Sequence, residues 1–259
     1  MSRTFLAVVH YAGGAFAGWQ RQPAERSVQA EFERVLEELC GTRIVANAAG
    51  RTDAGVHAVG MCVSFTAPAK WTAESFHRAL NALLAPDCWV ASVRRTRPGF
   101  HARKSARERY YRYVIGTDSA SRSPFRRPFE WALARPLDIA ALEAAAVPIL
   151  GEHDFTAFAA KGTPRPHYRC RVRLASWATR RDWPGVTLDI ASDRFLHHMV
   201  RMLVGTMVDV GLARREVADM EHLLASADNQ DTSPPAPPEG LYFVSADYAP
   251  DWFQQPGEV

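Results

Sequence analysis

From residue 4 to residue 95 the chain alternates between strand-like and helix-like hydrophobic spacing, and that succession is the strongest constraint on its fold. "TFLAVVHY" (4–11) is an apolar run of strand length. "SVQAEFERVLEELCG" (27–41) then sets Val28, Phe32, Val35, Leu36 and Leu39 on one helical face, with Ser27 as N-cap and Gly41 as the stop. The pattern predicts strands at 42–48 and 61–67, a helix at 73–84 through Phe76, Leu80 and Leu83, and a strand at 88–95. The order β-α-β-β-α-β is that of the split βαβ, or ferredoxin-like, unit.

The order recurs after a junction near residue 105. A strand is expected at 109–116, a helix at 138–150, and strands in "YRCRVRLASWAT" and "GVTLDIAS". A helix at 194–211 carries Leu196, Met199, Val200, Leu203, Met207 and Val210 on one face. A shorter helix near 215–226, a proline-rich turn at 233–240 and a strand at 241–248 follow. The expected architecture is therefore α+β: two ferredoxin-like, RRM-like halves, residues 1–105 and 106–259. Their antiparallel sheets would merge and leave a central cleft able to bind RNA.

The 259 residues suffice for one large domain or two ordinary ones. No apolar run approaches the ~20 residues of a membrane-spanning helix, and "MSRTFLAVVHY" lacks the pattern of a secretory signal, so a cytoplasmic protein is expected. The four cysteines, Cys40, Cys62, Cys88 and Cys170, are widely spaced and form no C-x-x-C pair, which predicts free thiols rather than a zinc knuckle or redox dithiol. The net charge is only +3, but its placement is more informative. "SRSPFRRPFEWALARP" (121–136) carries Arg122, Arg126, Arg127 and Arg135 with Phe125 and Trp131. "KGTPRPHYRCRVR" (161–173) carries Lys161, Arg165, Arg169, Arg171 and Arg173 with Tyr168. Cations suit phosphates and flat rings suit bases, so RNA contact and a plain solvated loop face both stay open for these segments.

Between the second and third expected strands lies "AAGRTDAGVHAVG" (48–60). Its glycines permit sharp turns and close approach of another backbone. An ordinary surface turn and a binding loop both fit that spacing. Three polar features stand apart from the core pattern: Asp53, with Arg51, Thr52 and His57 around it; Tyr111, sharing a strand face with Tyr113 and Ile115; and Arg201, three residues after His198 on the expected long helix. No P-loop, G-x-G-x-x-G, G-x-S-x-G or H-E-x-x-H motif is present, which removes nucleotide hydrolysis, dinucleotide redox, serine hydrolase and zincin chemistry. What survives is a single carboxylate beside arginines, ionised and available as nucleophile or base without a cofactor.

With these residues in place, the chain resembles the TruA family of tRNA pseudouridine synthases. "GRTDAGVHA" (50–58) is similar to that family's catalytic loop. The likeness continues through "GWQRQ" (18–22), "SVQ" (27–29), "FHARKSARERYYRYVI" (100–115), "DFTAFA" (154–159), "FLHHMVRMLVGTMVDVG" (195–211) and "PPEGLYF" (237–243). The resemblance implies isomerisation of uridine to pseudouridine at positions 38, 39 and 40 of the tRNA anticodon stem-loop by a homodimer needing neither metal nor cofactor. By motif position it implies Asp53 as nucleophile, Tyr111 as the ring against the target base and an assistant in proton transfer, and Arg201 as the partner of Asp53. Arg51 would fill the space left by the flipped base, and Thr52 and His57 would join it in binding substrate. The chain departs from the family pattern at Ala12, where an aspartate is usual, and at Lys104, where an apolar residue is usual.

Three alternatives remain. The same chemistry could act on another RNA site. The fold could serve a non-catalytic RNA-binding protein, although retention of Asp53, Tyr111 and Arg201 together argues against it. A metal-dependent hydrolase could use Asp53, His57, His197 and His198.

Overall fold

The computed structural model describes residues 1–160, 167–226 and 228–253. Lys161 and Arg165 of the second basic stretch lie outside the described residues. The fold is α+β, with ten strands and five α-helices among the described residues. In chain order these are β1 (Ser2–Tyr11), α1 (Val28–Cys40), β2 (Asn47–Ala48), β3 (His57–Pro68), α2 (Ala73–Leu83), β4 (Cys88–Thr96), β5 (Ala106–Gly116) and β6 (Trp131–Ala132). There follow α3 (Ile139–Ala146), β7 (Gly151–Asp154), β8 (Arg169–Thr179), β9 (Gly185–Ser192), α4 (Met199–Gly211), α5 (Asp219–Ser226) and β10 (Leu241–Tyr248). The chain forms two compact units, one of residues 1–109 with 243–253 and one of Tyr110–Tyr242. No helix of the described residues is long and apolar enough to cross a membrane.

In the first unit β1 pairs antiparallel with β3 and β4, giving the order β4-β1-β3-β10 with β2 also on β3. The β-α-β-β-α-β succession expected for residues 4–95 is therefore observed. Apolar spacing explains both helices: α1 buries Val28, Phe32, Val35 and Leu36, and α2 buries Phe76 and Leu80. Their rings meet those of the sheet, with Phe76 edge-on to Phe5 at 5.0 Å and to Phe65 at 5.2 Å. Each such ring, once fully buried, contributes about 1.5–3 kcal/mol of transfer free energy. The Ser27 hydroxyl accepts from the Ala30 N–H, and Gly41 ends α1 with φ 70°. Thr72 and Ser75 form a capping box on α2.

The strand expected at 42–48 shrinks to Asn47–Ala48. Its backbone is claimed by α1 instead. The Glu33 carboxylate, buried among Arg21, Gln29 and Ala46, accepts the Ala46 N–H at 3.0 Å, and Gln29 donates to the Ala46 carbonyl at 3.2 Å. Side chains that satisfy both polar groups of a buried residue remove the need for a ladder. Cys62, Cys88 and Cys170 are buried, Cys40 is half-buried, and all four are free thiols.

The strand β3 begins at His57, four residues before the expected start, so the second half of the glycine-rich stretch is sheet. Gly60 is needed there for proximity: a Cβ at this position would stand 1.9 Å from the Val244 carbonyl oxygen of β10. The segment after β10 returns across the same unit. The Tyr248 hydroxyl donates to the Ala102 carbonyl at 2.9 Å, and Phe100 packs against Trp252 and Phe253.

In the second unit the order is β5-β9-β8-β7, with β6 parallel to the end of β5. The Asp138 carboxylate caps α3 through the Ala140 and Ala141 N–H groups. That helix stops at Ala146 rather than 150, and a 3-10 turn containing Pro148 follows, since proline cannot continue the α-helical ladder. The long helix expected at 194–211 begins only at Met199. His198 takes a left-handed conformation (φ 64°), and the His197 carbonyl accepts from Ala160 N–H, so residues 194–196 are irregular and the chain turns at His197 and His198. His198 therefore stands at the N-cap position, outside the regular turns of α4 that carry Arg201. The expected apolar face, Leu196, Met199, Val200, Leu203, Met207 and Val210, is buried throughout.

Two measurements check this description. Gly60→Ala should destabilise the protein by roughly 1–3 kcal/mol in chemical unfolding, because the adjacent backbone must move to admit the methyl; unchanged stability would contradict the β3–β10 contact. The Arg26 guanidinium, hydrogen-bonded to both Asp87 oxygens at 2.5 and 2.8 Å, holds the Asp87 carboxyl below its usual value. A depressed folded-state pKa contributes stability above the unfolded value near ~3.9 and loses it as pH falls through the lower folded value. The Tm gap between wild type and Asp87→Asn should accordingly be present at neutral pH and close on acidification below about pH 4.

Candidate functional site

Asp53 sits between β2 and β3 in a loop held by the end of β1 and the segment that follows it. The Tyr11 hydroxyl and the Thr52 hydroxyl lie 2.8 Å apart in a buried contact. The Trp19 N–H donates to the Thr52 carbonyl at 3.0 Å, and Gly55 N–H donates to the Phe16 carbonyl at 3.3 Å. The Gly13 N–H donates to His57 Nδ1 at 3.0 Å, so that nitrogen is the unprotonated one. Within the loop, the Val56 N–H reaches the Asp53 carbonyl at 3.2 Å and closes a turn around Gly55, whose φ is 80°.

Glycines make this approach possible. Gly18 has φ 97°, and a Cβ there would lie 2.6 Å from the Thr52 carbonyl oxygen. At Gly13 a Cβ would lie 2.1 Å from the Val56 carbonyl oxygen. The cradle is in turn docked on α1, whose Val28 and Gln29 N–H groups donate to the Gly18 and Trp19 carbonyls. At the loop's other end Ala49 N–H donates to the Cys62 carbonyl at 2.8 Å, and Arg109 Nε donates to the Ala49 carbonyl at 3.3 Å.

The four loop residues singled out in the sequence have different surroundings. Arg51 is exposed and Asp53 half-buried, whereas Thr52 is 7% and His57 2% exposed. Thr52 and His57 thus turn inward to the cradle. Spacing could not reveal this, because nothing in "GRTDAGVHA" distinguishes an inward side chain from an outward one. Tyr11, Gly13, Gly18, Trp19 and Arg109 were not singled out as site residues. The available signal was the glycine pair after Tyr11 and the short distance from "GWQRQ" to α1.

In the second unit, Tyr111 and Tyr113 alternate with exposed Arg112 on β5, as the strand period requires. Tyr111 is edge-on to Phe195 with ring centres 5.0 Å apart. The Tyr113 hydroxyl donates to the Pro237 carbonyl at 2.6 Å, and burial pushes this phenol's pKa up, so it remains a neutral donor. Gly240 lies against the Tyr113 ring, where a Cβ would come within 2.6 Å. Arg201, half-buried on the first turn of α4, donates from Nε to the Ala236 carbonyl at 2.7 Å, while Ala236 N–H donates to the Arg201 carbonyl at 2.9 Å. Both the side chain and the backbone carbonyl of Arg201 are tied to one residue. The turn before α4 is held by the segment at 154–160, through the bond from Ala160 to His197.

Comparison with known proteins follows the same lines. A family model described as tRNA pseudouridine synthase matches residues 7–103 and 145–249. A protein named tRNA pseudouridine synthase A from Moorella thermoacetica is 38% identical over 92% of this chain and 96% of its own length. Proteins of the same name from Geobacillus kaustophilus and Hydrogenovibrio crunogenus are 38% and 37% identical, over 93% and 99% of this chain and 93% and 97% of their own.

The cradle generates its own prediction. Tyr11→Phe removes one buried hydroxyl and leaves the Thr52 hydroxyl short of a partner, which should cost about 1–2 kcal/mol in stability. Melting at the wild-type temperature would show that the Tyr11–Thr52 contact does not hold the loop.

Proposed function

The chain belongs to the tRNA pseudouridine synthase family, and on that footing we propose that it isomerises uridine to pseudouridine in tRNA, at positions 38, 39 and 40 of the anticodon stem-loop. The observation that carries the reading is the Asp53 loop: an acidic side chain held by at least four hydrogen bonds of its neighbours to one cradle, next to an exposed arginine. Recognition alone would gain nothing from a fixed carboxylate in a site that must attract phosphate.

In this reading a uridine stacked in the stem is flipped out, at a cost of a few kcal/mol. Arg51 has the exposure and the flat cationic head to fill the vacated space. Asp53 attacks as nucleophile, at C1′ as the N1–C1′ bond breaks or at C6 of the ring. The uracil turns and C5 bonds to C1′. On the first route this displaces the Asp53 carboxylate from C1′; on the second the N1–C1′ bond breaks after attack and the Asp53–C6 bond is then eliminated. The C5 proton departs and N1 gains a proton, so the atoms balance without oxidation or hydrolysis. Tyr111 lies against the uracil and assists removal of the C5 proton, and Arg201, aligned through Ala236, pairs with Asp53. We assign Thr52 and His57 to the loop's support rather than to RNA contact, because both are buried. The proposal includes a homodimer in the cytoplasm and requires neither metal nor cofactor.

Tritium release from C5-labelled uridine in unmodified tRNA, after exhaustive chelation and beside filter binding, tests the reading. The wild-type protein should release label, and Asp53→Asn should bind tRNA while losing about 10⁴-fold or more in turnover. Binding by both proteins with release by neither would make the loop a recognition element. Loss of wild-type activity on chelation would revive the metal-dependent alternative.

A further inference from the structure

The first basic stretch does not behave as a uniform cationic face. Arg126 turns inward, donating from Nε to Glu130 Oε1 at 2.9 Å and from Nη1 to Asp118 Oδ2 at 2.9 Å. Arg180, from the β8–β9 turn, joins Glu130 from the other side and also donates to Asp182. Glu130 is buried, and only about a tenth of either guanidinium side chain is exposed. The Arg180 guanidinium holds the Asp182 carboxyl down at about 2, and Arg126 holds Asp118 below its usual range, so these two carboxylates stay ionised beside their arginines.

What the knot leaves on the surface is basic and aromatic. Arg122, Arg127 and Arg181 are exposed, and none of them enters an ion pair among the described residues. Between them stand Phe125, 88% exposed, Phe129, 48%, and Trp183, 52%. Their proximity is fixed by bonds: the Arg126 guanidinium lies 5.0 Å from the Trp183 ring centre, Phe129 N–H donates to the Arg126 carbonyl, and the Arg126 and Arg127 N–H groups both donate to Ser123 O. Tyr242 fastens the far end through its hydroxyl to the Phe129 carbonyl. Single exposed rings are ordinary, but three beside three uncompensated arginines over a buried ion-pair knot form a fixed surface complementary to a polyanion with flat faces.

We propose that this surface, built from residues 122–129 and 181–183, binds the RNA substrate away from the reacting uridine, with Arg122 and Arg127 on phosphates and Phe125 and Trp183 against unstacked bases. It rests on the reading of the protein as a tRNA-acting enzyme and adds a place where that tRNA is held. Backbone contacts of this kind release counterions and make affinity salt-dependent, and stacking on aromatic rings adds affinity without reading sequence.

The test uses the full chain as wild type, as Arg122→Gln/Arg127→Gln and as Phe125→Ala, all of which leave Arg126, Glu130 and Arg180 in place. Filter binding of unmodified full-length tRNA is measured over a range of KCl, with sedimentation and thermal melting alongside. The arginine variant should flatten the dependence of log affinity on log salt by roughly 1.5. Phe125→Ala should weaken binding by about tenfold with the slope unchanged. Wild-type slope and affinity in both variants would overturn the proposal. So would a loss of self-association in sedimentation, since the face would then belong to a second copy of the chain. Failure of the underlying reading is separate: a wild-type protein that binds tRNA but releases no tritium sinks the isomerase assignment and leaves this surface standing.

Discussion

The Asp53 loop depends on one buried contact, the meeting of the Tyr11 and Thr52 hydroxyls at 2.8 Å. A glycine-rich loop pays a large entropic cost to hold a single conformation, and the loop's own turn around Gly55 offsets part of it with the bond from Val56 N–H to the Asp53 carbonyl. The end of β1 and the segment after it add to this by engaging the side chain and the carbonyl of Thr52, the N–H of Gly55 and the ring of His57. Asp53 lies between these anchor points. The same segment receives the first N–H groups of α1, groups that a helix cannot satisfy within itself. Strand, cradle, loop and helix are therefore one hydrogen-bonded assembly, and Gly13 and Gly18 are glycines because the backbones come within a Cβ's width of each other.

A parallel device operates in the second unit. Arg201 is joined to Ala236 through both its Nε and its backbone carbonyl, and the Pro237 carbonyl receives the Tyr113 hydroxyl. The proline-rich turn at 233–240, which in the sequence reads as a connection, is the part that orients an arginine and locks a strand tyrosine. Main-chain carbonyls suit this task because their positions are set by the fold and they cannot change rotamer. In both units, residues of unremarkable chemistry hold the segments that carry Asp53, Tyr113 and Arg201.

The sequence disclosed those elements whose cause is local. Apolar spacing located α1 and α2, and Ser27 and Gly41 mark ends that capping chemistry anticipates. It misled where a distant partner decides. The segment 42–46 has strand-like composition, but Ala46 gives both its backbone groups to Glu33 and Gln29. Residues 194–198 continue a helical apolar pattern, yet His198 adopts φ 64° and His197 is bound to Ala160. The short strand β7 was not anticipated at all, because a four-residue edge strand with the burial pattern of Gly151–Asp154 carries no apolar period. At the candidate site the motif could not separate exposed Arg51 from buried Thr52 and His57.

Charge shows the same limit in sharper form. In "SRSPFRRPFEWALARP" the adjacent residues Arg126 and Arg127 are chemically identical, yet one is closed into an ion pair with buried Glu130 and the other faces water. The 3-10 turn at Arg127–Phe129 separates them, since it aims consecutive side chains in different directions. Arg169 and Arg171 of the second stretch both meet Glu152, which reduces the free charge there as well. A net charge of +3 therefore understates the contrast across the surface, because acids are spent on inward arginines while others stay uncompensated. What a polyanionic partner meets is set by which guanidinium groups the fold has already used.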